Sequence, residues 1–301
     1  MPDRPPAVRI PDRTGPASLP GETLSARFPL PALRAAAPGG FRLLVDPPGE
    51  GTWNMAVDEA MARAVGAGCV PATVRLYGWE RPTVSLGYLQ RAASGIDLEA
   101  CRARGVPVVR RLTGGRAVLH AEELTYSVAV PLAGPLGGLT VAESFRILSA
   151  GLVETLRRLG VSADLGHPGS ETGAAGDPGL CFLVRRMPAV LVSGRKLLGS
   201  AQRRAQDWLL QHGSLLLEVD HELHRGLFPG WSRADASGVT SLAEVLGRRP
   251  GQDELVAAFE AAWTAVSGRA CRPGVLSPAE REAALSLAVS RYRDADWTWR
   301  R

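Results

Sequence analysis

Lysine is nearly missing from this chain. Of the 35 lysine and arginine residues among its 301, only Lys196 is a lysine. Arginine offers a planar, permanently charged fork, whereas lysine offers a compact ammonium whose proton affinity responds to burial. A sequence so biased toward arginine singles out Lys196 as a position to explain. The competing reading is an ordinary solvated lysine beside a turn. Long apolar runs are missing as well. None approaches the ~18 residues a bilayer span requires, and the first residues lack the apolar stretch of a secretion signal. Cys69, Cys101, Cys181 and Cys271 are scattered, with no CxxC pair and no ligand-like spacing, which argues against a zinc site or a disulfide framework and fits a reducing cytoplasm. Aromatic residues make up only 6% of the chain. Its basic residues are dispersed rather than interleaved with stacking rings, unlike a nucleic-acid platform. The net charge of +5 therefore points to an acidic protein partner, not to nucleic acid or a membrane.

What is present reads as one large domain with extensions. Residues 1–39 are rich in proline, glycine and arginine without sustained periodicity, and are expected to form a disordered tail. Order is expected to begin near Phe41. Residues 40–246 form the predicted catalytic domain and residues 247–301 a helical extension. Thr52 is placed to cap a helix running to Val65. Strand-like runs follow at Thr73–Tyr77, Thr83–Leu86, Val106–Arg111, Ala117–His120 and Leu124–Val130, then a helix over Val141–Leu159. A Gly/Pro/Ser-rich loop over Asp164–Gly179 ends just before Leu180-Cys181-Phe182; loops that long inside a domain are usually functional or disordered. Strands resume up to Leu191, at Lys196–Gln202 and at Ser214–Val219, and helices are predicted at Asp253–Val266 and Pro278–Arg291. Helices and strands that do not alternate strictly predict an α+β fold, with a mixed, largely antiparallel sheet flanked by helices.

Two segments carry candidate chemistry. In Val109-Arg-Arg-Leu-Thr-Gly-Gly-Arg-Ala-Val-Leu-His120, the Gly114-Gly115 turn lets the backbone approach a ligand without Cβ obstruction. Arg110 and Arg111 alternate across the strand, so only one of them can face a pocket. The second segment, Val190 to Arg204, reads as strand, Ser-Gly turn and strand, with Lys196 just after the turn. The order of Asn54–Glu59, Arg75–Gly87, Arg110–His120 with Glu123–Ser127, Gly194–Arg203 and Gln211–Ser214 resembles the lipoate–protein ligase and octanoyltransferase family over roughly residues 40–245. The resemblance implies the catalytic fold of biotin and lipoate protein ligases and class II aminoacyl-tRNA synthetases. It also implies an acyl site drawn from Arg110, Arg111, Thr113, Gly114, Gly115, Arg116, His120, Lys196, Gly199, Ser200, Ala201, His212 and Gly213.

Within that family, Cys181 upstream of Lys196 resembles the Cys-dependent branch that moves octanoyl from acyl carrier protein to a protein lysine. A thiolate is the best side-chain nucleophile near neutral pH, and a neighbouring ammonium raises its population. The other three cysteines read as small buried apolar residues. His120 reads as a pocket wall and His212 as wall or proton shuttle. Arg116 departs from the ligase pattern, where a third glycine is common. The implied donor is acyl carrier protein and the implied acceptor a lipoyl domain or a glycine-cleavage H protein; no metal or organic cofactor is implied. The rival expectations are an ATP-dependent lipoate ligase, a lipoyl amidotransferase and, from another class, a non-catalytic arginine-rich binding module.

Overall fold

The computed structural model describes residues 30–166 and 189–300. Eight strands form the main sheet in the order β11-β1-β2-β6-β10-β9-β8-β7: β1 Phe41–Val45, β2 Thr73–Tyr77, β6 Glu123–Pro131, β7 Asp164–Leu165, β8 Val190–Val192, β9 Arg195–Arg204, β10 Trp208–Leu216 and β11 Cys271–Gly274. β11, β1 and β2 run parallel, and every further neighbour is antiparallel. A second sheet, ordered β4-β3-β5, comprises β3 Thr83–Leu86, β4 Val108–Arg110 and β5 Val118–His120. The fold is the expected α+β class.

Period-two alternation divides the main sheet between two cores. Leu43, Val128 and Leu209 point to one side, where the helices Val141–Arg158 and Gln252–Ser267 pack. Their neighbours Leu44, Ala129 and Leu210 point to the other, against the helix Gly51–Gly66. The small sheet builds a third cluster with Phe228 and Trp231. Thr140 and Glu143 close a reciprocal capping box at the start of Val141–Arg158, which satisfies donors that a helix N-terminus otherwise leaves open.

Several boundaries differ from expectation. Leu30–Ala36, within the stretch read as tail, is a helix with Leu30 and Leu33 buried. Seven residues are too few to show a period, and its order comes from packing on Gln252–Ser267 and Val141–Arg158. Thr52 is not the cap of the helix Gly51–Gly66: Glu50 precedes it with no side-chain cap. Close packing fixes that end instead, since a Cβ on Gly51 would fall 2.9 Å from Thr83 Cγ2 and 3.1 Å from Val109 Cγ1. Residues 247–301 are not an appendage. β11 pairs with β1, and Trp263 of Gln252–Ser267 is fully buried, with its ring 4.9 Å from that of Phe41 and close against Gly151. The predicted helix Pro278–Arg291 is α-helical to Leu287 and continues as a π turn over Ala288–Tyr292. Of the cysteines read as buried, Cys101 and Cys271 are buried and Cys69 is exposed; burial pushes the Cys271 thiol up to about 12. Trp263→Ala is expected to cost about 3–5 kcal/mol in urea unfolding. A cost below about 1 kcal/mol would show that this helix is not part of the main core.

Candidate active site

Between the two sheets lies a pocket whose polar wall is organised by Asp58. The helix Gly51–Gly66 delivers Asp58 from an Ala/Met-rich face into the sheet, where the side chain is about 98% buried. Three strands supply its donors. Arg75 Nη1 of β2 lies 2.9 Å away, Ser127 Oγ of β6 2.8 Å, Tyr77 Oη of β2 3.0 Å and His212 Nδ1 of β10 3.1 Å. Burial alone raises a carboxyl pKa, but the His212 hydrogen bond and the Arg75 charge outweigh it and hold Asp58 below its ordinary value. Arg75 is itself fully buried, and its Nε donates to Asp46 at 2.7 Å.

Two imidazoles meet the pocket, each braced by a carboxylate. An ionised carboxylate only accepts, so His212 Nδ1 carries the proton it gives Asp58, and Nε2 faces the Thr113 hydroxyl at 2.7 Å. Burial, against the pull of Asp58, lowers the His212 pKa and keeps the ring neutral. His120 repeats the pattern: Nδ1 is 2.8 Å from Glu123 Oε1 and Nε2 2.7 Å from Ser85 Oγ. Trp79 stacks on the His120 ring at 3.9 Å and 14°, and its Nε1 donates to Thr125 Oγ1 at 2.7 Å. Thr125 and Ser214 donate in turn to Glu123, at 2.5 and 2.7 Å. Burial pushes the Glu123 carboxyl up, while the charge and hydrogen bond of His120, with these hydroxyls, bring it below its ordinary value.

Arg111 joins the two arrangements. Its Nη1 donates to Ser85 Oγ at 3.0 Å and its Nε to Thr113 Oγ1 at 3.2 Å. Its Nη2 holds the Gly114 and Arg116 carbonyls at 2.8 and 2.7 Å. Arg110, one residue back, turns the other way. Its Nη1 donates to the Gly87 and Gln90 carbonyls and its Nε to Thr298.

Among the proposed site residues, Arg111, His120, Lys196, Gly199, Ser200, Ala201, His212 and Gly213 line this one pocket. Arg110, Thr113, Gly114, Gly115 and Arg116 do not line it. Thr113 and the Gly-Gly turn stand directly behind the wall, held by Arg111 and His212, and Arg110 fastens the Gly87–Gln90 segment that packs on the turn. Cys181 lies outside the described residues, as does the loop before it from residue 167 onward. Lys196 is buried, and its backbone is fixed on both sides: its N–H donates to Gly238 O at 2.9 Å, and its carbonyl accepts from Thr240 at 3.0 Å. Two glycines are sterically required. A Cβ on Gly213 would lie 2.2 Å from Gly199 O, and one on Gly87 would lie 1.8 Å from Gly115 O. The sequence reading left Asp58, Tyr77, Trp79, Ser85, Glu123, Thr125 and Ser214 out of the site. An acid on a mostly apolar helix face signals Asp58, and the alternating Glu123–Thr125–Ser127 polar row in a strand signals Glu123 and Thr125.

The Lipoyl protein ligase A/B catalytic domain model matches residues 50–264. The chain is 40% identical over 272 residues to Octanoyltransferase LipM of Kyrpidia tusciae, covering 87% of this chain and 99% of that protein. It is 39% identical to the LipM of Symbiobacterium thermophilum, covering 87% and 98%. Among solved structures, lipoate-protein ligase A bound with ATP superposes with a TM-score of 0.72 at 24% identity, covering 87% of this chain and 98% of that one. A bi-partite lipoate protein ligase of Thermoplasma acidophilum gives 0.71 at 22%, covering 86% and 96%. At that identity the structures establish the fold alone. The fold is that of the lipoate protein ligases. The chain belongs to the lipoyl protein ligase A/B catalytic domain family.

The neutral His212 sets a pH dependence. An unfolded histidine titrates near pH 6.5, so below about 6.5 the unfolded chain binds a proton that the folded one excludes. Stability therefore falls as pH drops through that value toward the lowered folded pKa, and is fully present above it. The melting temperature of the wild type is expected to fall more steeply between about pH 6.5 and 5 than that of His212→Gln. Parallel curves would contradict a neutral buried His212.

Proposed function

We propose that this chain is an octanoyltransferase of lipoate biosynthesis, moving octanoyl from acyl carrier protein through a Cys181 thioester to a lysine of a lipoyl-carrying protein. The observation that carries the reading is the placement of the chain's one lysine, Lys196, in the wall of a pocket between the sheets. Relatives named as octanoyltransferases, matched over nearly their whole length, supply the acyl group. Met55, Val118 and the Tyr77 and Trp79 rings give the pocket apolar wall for the chain's carbons.

In this scheme the thioester carbonyl lies beside Lys196. Its ammonium draws charge toward the oxygen as the carbonyl becomes tetrahedral, a contribution that typically amounts to about 3–4 kcal/mol for one donor. The Cys181 thiolate forms the new C–S bond, and the donor's thiolate leaves and takes up a proton. The acceptor lysine, as free amine, then attacks the acyl-Cys181 carbonyl. An amide forms, the Cys181 thiolate departs and the amine loses a proton. The acidic character of carrier and lipoyl proteins suits the net charge of +5 and would speed their encounter. The reaction as written uses neither ATP nor a metal, and its partners place it in the cytoplasm.

Incubation with octanoyl–acyl carrier protein, without ATP, is expected to give a covalent octanoyl adduct that Cys181→Ala abolishes in intact-mass spectra. Lys196→Arg is expected to lower transfer about 10²–10³-fold. Normal turnover by Cys181→Ala, or activity that strictly requires ATP, would overturn the reading.

A further inference from the structure

Beside the pocket, Trp231 buries a donor that no described residue receives. The residue is only 6% exposed, and its indole Nε1 has no hydrogen-bond partner among the described residues. Buried indole N–H groups usually find an acceptor, because an unmet one costs roughly 1–3 kcal/mol. Trp231 stands in the wall of a second, smaller cavity, with Leu216, Val219, His224 and Val239 around it. Val118 lines both cavities. Lys196, a wall of the first, also forms a backbone bridge to Val239, a wall of the second.

A thioester has two arms. If the carbonyl sits at Lys196 and the acyl chain fills the first cavity, the thiol arm must leave through adjoining space. We propose that the second cavity receives an amide segment of the donor's pantetheine arm, with Trp231 Nε1 donating to its carbonyl. This rests on the acyl-transfer reading above and adds the part of the donor that the enzyme recognises. The chemistry selects the ligand. The walls are largely apolar, which suits the methylene and methyl groups of the arm, and the Trp231 N–H, unmet among the described residues, is a donor, which suits an amide oxygen. A longer acyl tail folded into the same space would leave the N–H unpaired. The cavity is small, so it takes one amide and its neighbours rather than the whole arm.

The test compares two small donors with the full-length chain: octanoyl-pantetheine, and the octanoyl thioester of mercaptoethanol, which has no amide. Trp231→Phe keeps a ring and removes the donor. It is expected to raise KM for octanoyl-pantetheine about 3- to 10-fold, the range for one lost hydrogen bond, with kcat unchanged and KM for the mercaptoethanol ester unchanged. Val219→Trp, which fills the cavity, is expected to act with the same selectivity. An unchanged KM for octanoyl-pantetheine in both variants overturns the inference. So does an equal loss with both donors, which would mark Trp231 as merely structural. Failure of the wild type to use either donor, or octanoyl–acyl carrier protein, defeats the acyl-transfer reading itself and this inference with it.

Discussion

The buried Asp58 carboxylate is the constraint on which the site depends. One helical side chain accepts from Arg75, Tyr77, Ser127 and His212, and so ties the helix Gly51–Gly66 to β2, β6 and β10 together. A charge this deep is tolerated because it is both paired and hydrogen-bonded; removing one partner of such a pair leaves the other uncompensated. The same contacts that lock helix to sheet also set the tautomer of His212 and aim its Nε2 toward Thr113. Stability and the pocket wall are therefore built from the same atoms.

Strand alternation then divides the labour of two adjacent arginines. Arg111 faces the pocket, where it joins Ser85 and Thr113 and holds the carbonyls of the Gly-Gly turn. Arg110 faces away and clasps that turn's support, binding Gly87 O and Gln90 O on one side and the helix Ala295–Trp299 on the other. Trp297 Nε1 returns a bond to the Arg110 carbonyl, and Arg300 lies over both the Tyr88 and Trp297 rings. A segment distant in sequence thus braces the loop beside the pocket. An arginine cannot be exchanged for lysine in either role without losing the fork that reaches several acceptors at once.

Much of this was legible in the sequence, and for physical reasons. Period-two runs with turn residues between them marked β2, β3 and β6, and the 3.6-residue period marked Val141–Arg158 and Gln252–Ser267, because those patterns are set by local geometry. The Arg110/Arg111 pair announced that one member would turn inward. Elements whose order comes only from contact were hidden. Leu30–Ala36 is a single short turn or two held by distant helices, β11 exists because Cys271–Gly274 lies along β1, and Gly51 begins its helix by fitting against Thr83 and Val109. The site divided in the same way. Lys196 and the glycines stood out by type and spacing, whereas the partnerships Asp58–His212 and Glu123–His120–Ser85 join residues that only the sheet register brings together. The indole N–H of Trp231, unmet among the described residues, has no sequence signature.

The proposed octanoyl transfer asks little of this scaffold beyond placement: an apolar pocket, one ammonium in its wall, a thiol, and a polar wall that does not shift. The last requirement is met by the buried Asp58–Arg75 pair, and urea unfolding of Asp58→Asn at neutral pH tests it most directly. The account predicts a loss of about 3–5 kcal/mol, because Arg75 keeps only the partly exposed Asp46 to balance its charge in the interior. A variant within about 0.5 kcal/mol of the wild type would contradict the claim that this carboxylate holds helix, sheet and pocket together.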